Sequence, residues 1–297
     1  MSSAALSISR LRDVGRGALL RTAADSLRYG RTRVGVGLVA FVVLLALAGP
    51  LAAPHSPDAF VGTPSQAPSG AFLLGTDYLG HDVLSRVLWG GRSVVWMAFA
   101  AASLGVALGA AVGLLAAYSR SILDDMLMRA MDVVLAFPQI VFVLLFVSLL
   151  GAKLWLIVVL VAFSWVPQVA RVARGITSEV VHREYVESAE LLGLPRRRIL
   201  AREILPNVTT PLMVEYGLRL TWSIALIAAV SFLGFGIQPP NADWGLMINE
   251  NRLILTTQPW AVVVPALCIA LFAIGVNFMT EGFARAIAGI DRRERAR

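Results

Sequence analysis

Two carboxylates and an imidazole fall close together at Asp77, His81 and Asp82. Oxygen and imidazole donors both suit divalent cations, so a metal site is the first chemistry to weigh. Three donors leave a coordination shell open, and His55 and His182 bring no spacing that would complete it. The cluster therefore reads as structural, orienting its segment against a neighbour, and no metal is expected. Nucleotide chemistry is excluded more directly. A phosphate-binding loop needs glycines followed by Gly-Lys-Ser/Thr, so that backbone N–H groups and an ammonium meet the phosphates. The single lysine, Lys153, stands between Ala152 and Leu154. The single cysteine, Cys268, rules out an intrachain disulfide and a cysteine-ligated cluster. No residue is expected to perform covalent chemistry.

The elements that carry these residues are set by solvent. The chain has 297 residues, 57% of them hydrophobic and only 15% charged. A soluble domain of that length could not hide so much apolar surface, so the expected class is an all-α integral membrane protein. A helix crosses the hydrocarbon core with roughly 20 apolar residues. Six stretches meet or approach that length: Val34–Ala53, Val94–Tyr118, Val133–Leu150, Leu154–Val172, Leu212–Phe235 and Trp260–Met279. The fourth is interrupted by Pro167, Gln168 and Arg171, and the fifth carries Glu215 and Arg219 at a spacing that pairs them along a helix. Small residues crowd the second, which places it inside a bundle. The organisation predicted is a basic leader over 1–33, a first span over 34–53, an external loop over 54–91, a five-helix core over 92–285 and a tail over 286–297.

The net charge of +7 is distributed like that of a membrane protein, not of a nucleic-acid binder. Arg10, Arg12, Arg16, Arg21, Arg28, Arg31 and Arg33 precede the first span with no base-stacking aromatics among them, which suits contact with anionic lipid. More arginines follow at 120 and 129, at 171–202, and at Arg285, Arg292, Arg293, Arg295 and Arg297. The opposite face keeps Arg86, Arg92, Lys153 and Arg252. The asymmetry predicts six spans with both termini cytoplasmic. Trp244 and Trp260 would anchor the outer interface.

A polar segment, Glu184 to Asn207, interrupts the apolar pattern. Glu184 to Leu192 contains no helix breaker and meets Gly193, which suits a left-handed cap; Leu194 and Pro195 follow, and Pro195 suits the first turn of a second helix running until Pro206. A solvated loop would also carry arginines here. Helix, turn and helix would instead make a lever within a cytoplasmic insert over 173–211, with Glu184, Glu187 and Glu190 along one side of the first arm and Arg198 among the arginines of the second.

The spacing Glu187-Ser188-Ala189, Gly193, Leu205-Pro206 resembles the EAA loop of binding-protein-dependent ABC importer permeases. Ser188 replaces an alanine of that pattern and Glu203 an isoleucine, while the glycine and proline stay in place. A second stretch, from Leu74 through Gly75, Thr76, Asp77, Gly80, His81, Asp82, Ser85 and Arg86, resembles the signature LGTDxLGRDxxSR of the second permease type in the dipeptide, oligopeptide and nickel group. His81 stands where that pattern has arginine. Asp124 to Gln139 and Ser231 to Gly236 also match, and the resemblance runs from about Arg33 to Ile290.

The resemblance implies a type I ABC importer permease fold in the bacterial plasma membrane. It implies a heterodimer with a homologous permease, two ATPase subunits docked on the insert, and an extracytoplasmic solute-binding protein. This chain would bind no cofactor; ATP and Mg would sit on the partner subunits. The cargo implied is di- or oligopeptide, with nickel or another small solute as the alternative. A gradient-driven transporter would need mid-span carboxylates, and an intramembrane enzyme paired catalytic groups; the spans offer almost none of the former and none of the latter.

Overall fold

A computed structural model describes residues 24–119 and 122–288. Arg10, Arg12, Arg16, Arg21 and Arg120, and the tail arginines Arg292, Arg293, Arg295 and Arg297, lie outside the described residues. The chain is helical, with α1 Gly30–Ala52, α2 Val83–Ser119, α3 Ile122–Leu135, α4 Gln139–Leu150, α5 Leu154–Val181, α6 Glu184–Leu191, α7 Arg196–Ile199, α8 Leu205–Phe232, α9 Trp244–Asn251 and α10 Trp260–Ala288. Five segments are long and apolar enough to cross a membrane, and the bent pair α3–α4 makes a sixth if counted as one span.

Helix α2 is the core. Its 37 residues extend about 55 Å at 1.5 Å per residue, well beyond a hydrocarbon core of about 30 Å. It packs along α5 on one side and α8 on another, with α1 and α10 completing the shell. The approach to α5 is close because Gly105, Gly109 and Gly113 recur one turn apart on the facing side. A methyl carbon at Gly105 would lie 2.8 Å from the carbonyl oxygen of Ala162, and one at Gly109 would lie 2.6 Å from Cβ of Val169. In a bilayer such contact replaces the hydrophobic driving force that lipid cannot supply. The small residues of this span thus do what their crowding implies. At its far end α1 lies against α10, where Arg31 approaches Glu281 at 3.4 Å, so both described ends of the chain meet at one end of the bundle.

Several boundaries differ from the sequence expectation. Helix α1 starts at Gly30, inside the segment read as leader, because nothing at Arg31 or Arg33 breaks a helix. Helix α2 starts at Val83, so the last part of the expected external loop is helical. Helix α5 runs through Pro167 to Val181, past the expected end at Val172. The third span is not continuous: α3 and α4 meet at 79° across Ala136–Pro138. The apolar run hides the break, since hydropathy records composition and not direction, but Phe137 precedes a proline and is steered out of helical geometry. Between the end of α8 and the start of α10 the chain forms a further short helix, α9, that the apolar pattern does not announce.

Candidate functional site

Two constructions stand at opposite ends of α2. At its C-terminal end, α6 and α7 form an elbow. Helix α6 ends in a Schellman closure: the N–H of Gly193 donates to the carbonyl of Glu190 at 2.9 Å, and that of Leu194 to the carbonyl of Ala189 at 3.2 Å. Gly193 has φ +69, which an L side chain adopts only with strain, and a β-carbon there would meet nothing within 4 Å. Its role is conformational, not the close packing that a small residue could also serve. Pro195 caps α7 from outside, and its carbonyl accepts from Arg198 N–H at 2.7 Å.

The second arm does not stop at Pro206. A π-helical turn, Leu200–Ile204, leads directly into α8, with Pro206 in the first turn of α8. The elbow is thereby continuous with a spanning helix. Its inner face is apolar: Val186, Ala189, Ile199, Ile204 and Val208 pack with Leu114 and Tyr118 of α2 and Ala173 and Val181 of α5. Its outer face carries Glu184, Glu187, Ser188, Pro195, Arg198 and Leu205, all exposed, and Pro206 beside them. Of its large hydrophobic side chains the most exposed are Leu191, at 89%, and Leu192, at 78%. Two adjacent leucines on water at the tip of a short helix mark a contact surface. The sequence pattern passed over them because leucine in an apolar chain carries no signal; they show only once the elbow turns them outward.

At the N-terminal end of α2 the segment from Gly75 to Arg86 closes as a clasp. Asp77 is its centre and is fully buried. One carboxylate oxygen accepts the backbone N–H groups of Leu79 and His81, both at 2.9 Å. The other meets His81 Nδ1 at 2.9 Å and Arg86 Nη1 at 2.5 Å. Burial acts to raise the Asp77 carboxyl, but the His81 hydrogen bond and the Arg86 charge outweigh it and hold it below the usual value. Arg86 also stands 2.9 Å from Glu250 of α9. For Glu250 burial wins over Arg86, and its carboxyl is raised. His81, placed where the related pattern has arginine, thus still partners Asp77. One oxygen of Asp82 accepts from the N–H and hydroxyl of Ser85, at 3.1 and 2.6 Å, in the first turn of α2. Thr76 donates to the carbonyl of Thr63, and Gly75, at φ +72, and Gly80, at φ +92, turn the chain between these contacts.

Residues far along the chain complete the clasp. Asn251 accepts from the N–H of Tyr78 at 3.1 Å, and Gln258 donates to the carbonyls of Gln66 and Leu74, both at 2.9 Å. Trp244 is not an interfacial anchor: it is 0% exposed, stacked over Gly90 and Gly91, and its indole N–H donates to the carbonyl of Val87 at 2.9 Å. Trp260 remains exposed, as an anchor requires. These distant partners escape sequence inspection, since isolated Asn, Gln and Glu carry no spacing signal.

Within the spans, Arg219 and Glu215 pair at 2.5 Å on α8, with the Arg219 guanidinium 5.2 Å above the ring of Trp165. The Trp165 indole N–H donates to Ser223 at 3.0 Å, tying α5 to α8. Arg174 of α5 holds Asp124 of α3 through two bonds of 2.6 Å.

The described residues form a helical bundle with enough long apolar helices to cross a membrane several times, an elbow at one end and a clasp at the other, which is the architecture of a multi-pass membrane subunit. Residues 105–289 match the family of binding-protein-dependent transport system inner membrane components, and the chain belongs to that family, the permeases of ABC importers. A Brucella abortus protein described as a peptide transport system permease is 33% identical over 91% of both chains. The di/tripeptide permease DppC of Pseudomonas aeruginosa is 33% identical over 85% of this chain and 86% of its own. The glutathione permease GsiD of Pectobacterium atrosepticum is 36% identical over 75% and 74%. The chain is thus a multi-pass inner-membrane permease subunit of the type I importer fold.

Proposed function

We propose that this chain is the second permease of a heterodimeric peptide importer, moving di- or oligopeptides inward by alternating access. A homologous permease completes the pathway, two ATPase subunits bind and hydrolyse ATP with Mg, and an extracytoplasmic binding protein delivers cargo. The peptide reading rests on relatives named for peptides and for glutathione, whose cargoes share amide backbones. Both termini face the cytoplasm, on the side where arginine is concentrated.

The observation that carries the coupling role is the elbow's continuity with α8 and its seat on α2 and α5. A short helix pushed at Leu191 and Leu192 cannot move without moving the ends of three spanning helices. Such rigid-body transmission is how a local displacement reaches a distant gate. Glu187 lies beside the tip and pairs with the ATPase surface.

The test is the purified, reconstituted complex. Glu187→Ala and Gly193→Val should assemble, retain ATP hydrolysis and lose transport; undiminished transport with normal assembly sinks the coupling role. Replacing Leu191 and Leu192 together with serine should weaken ATPase retention on purification.

A further inference from the structure

We propose that the break between α3 and α4 is a polar contact point on the translocation path, where Gln139 and Gln168 hydrogen-bond main-chain amides of the cargo. The assignment rests on the reading of the cargo as peptide. The break falls near the middle of the stretch Ile122–Leu150, Gln168 near the middle of the 28-residue α5, and Gln139 and Gln168 line the same hollow. Between them is a hollow of about 230 Å³ lined by Val134, Phe137, Pro138, Gln139, Ser164 and Gln168.

The polar groups there are incompletely matched. Because α4 starts anew after Pro138, the N–H groups of Gln139, Ile140 and Val141 have no carbonyl one turn earlier in their own helix. Gln139 Nε2 reaches the carbonyl of Ser164 only at 3.3 Å. The carboxamide oxygen of Gln168 is buried and has no hydrogen-bond partner. Hydrocarbon offers it no donor, so an unmatched amide oxygen at this depth calls for a polar visitor. Irregular backbone at membrane depth is tolerated where it lines a cavity. A carboxamide presents the same donor and acceptor as a peptide bond. Two of them in one uncharged hollow hold a main chain whatever side chains it bears, which suits a carrier of varied peptides.

The test uses the complete importer in proteoliposomes with alanine di- and tripeptides as probes. Gln139→Met and Gln168→Met keep side-chain length and remove the hydrogen bonds. Each should slow peptide uptake about five- to tenfold while ATP hydrolysis stimulated by the loaded binding protein stays within about twofold. In a Cys268→Ser background, Gln139→Cys should react with a water-soluble maleimide, and cycling peptide should slow that reaction. Uptake by both methionine variants at the parental rate overturns the assignment, as does failure to label Gln139→Cys in every nucleotide state while Ser69→Cys labels normally. If the methionine variants fail to assemble, the labelling result decides. If the parental importer takes up none of these peptides, the cargo reading falls and takes this assignment with it; if it takes them up and the variants match it, this assignment alone falls.

Discussion

Asp77, Arg86 and Glu250 place three charges where water is scarce, and each depends on the others. Removing one partner of such a set strands a buried charge, at a cost of about 3–5 kcal/mol. Arg86→Met should therefore lower the thermal unfolding temperature of the complex markedly, and adding Asp77→Asn and Glu250→Gln should recover much of the loss. An unchanged unfolding temperature in Arg86→Met would show that the clasp is not held by charge. Asp243 behaves differently. Fully buried at the start of α9, it accepts the Leu246 N–H at 3.1 Å, yet burial pushes its carboxyl up to about 6. Folding then favours the protonated form, so its contribution is complete below the ordinary value of 3.8 and is lost as pH rises through about 6. Across that window stability should fall by about 3 kcal/mol, and Asp243→Asn, which can still cap the helix, should flatten most of the slope. Glu250, also raised by burial, contributes a slope of the same sign, while Asp77, held low, loses stability only on the acid side of this range.

At the scale of elements, the α2–α5 contact and the elbow are the two features on which movement depends. Gly109→Leu should force α2 from α5 and destabilise by about 1–3 kcal/mol or abolish assembly, read by the yield and unfolding temperature of the purified complex. Gly37→Leu, on α1 where a β-carbon meets nothing, should be near neutral. The crowding of small residues made α2's interior position legible, because small side chains let helices approach closely. The cap at Gly193 was legible because glycine tolerates the left-handed conformation that ends a helix. The join between elbow and α8 was not: a proline ends most helices, and here a π turn leads into α8 with Pro206 in its first turn. The bend at Pro138 was half legible, since proline marks a discontinuity but not its angle.

For the whole molecule, the connection of α1 and α10 at the elbow end makes a topological claim that labelling can check. In a Cys268→Ser background, Ser69→Cys, on the exposed segment before the clasp, should react with an impermeant maleimide from outside intact cells. A cysteine at Ser188, on the elbow, should react only after the membrane is opened. The reverse pattern would overturn the proposed orientation. The bundle also leaves apolar faces uncovered: α3 has no buried residue and presents Ile122, Met126 and Val133 outward.

Composition and period alone determined the solvent, the number of apolar segments, the helical class, and the place of the elbow between spans, because hydrophobicity and helix breakers act over a few residues and need no partner. The tertiary structure decided what those local signals cannot encode. It brought Glu250, Asn251 and Gln258 to a motif some 170 residues earlier in the chain, buried Trp244, one of two tryptophans expected at the interface, and turned two leucines of the elbow out as its most exposed large hydrophobic side chains. Each of those outcomes depends on which surfaces meet after folding, a property of distance in space that no run of neighbours along the chain contains.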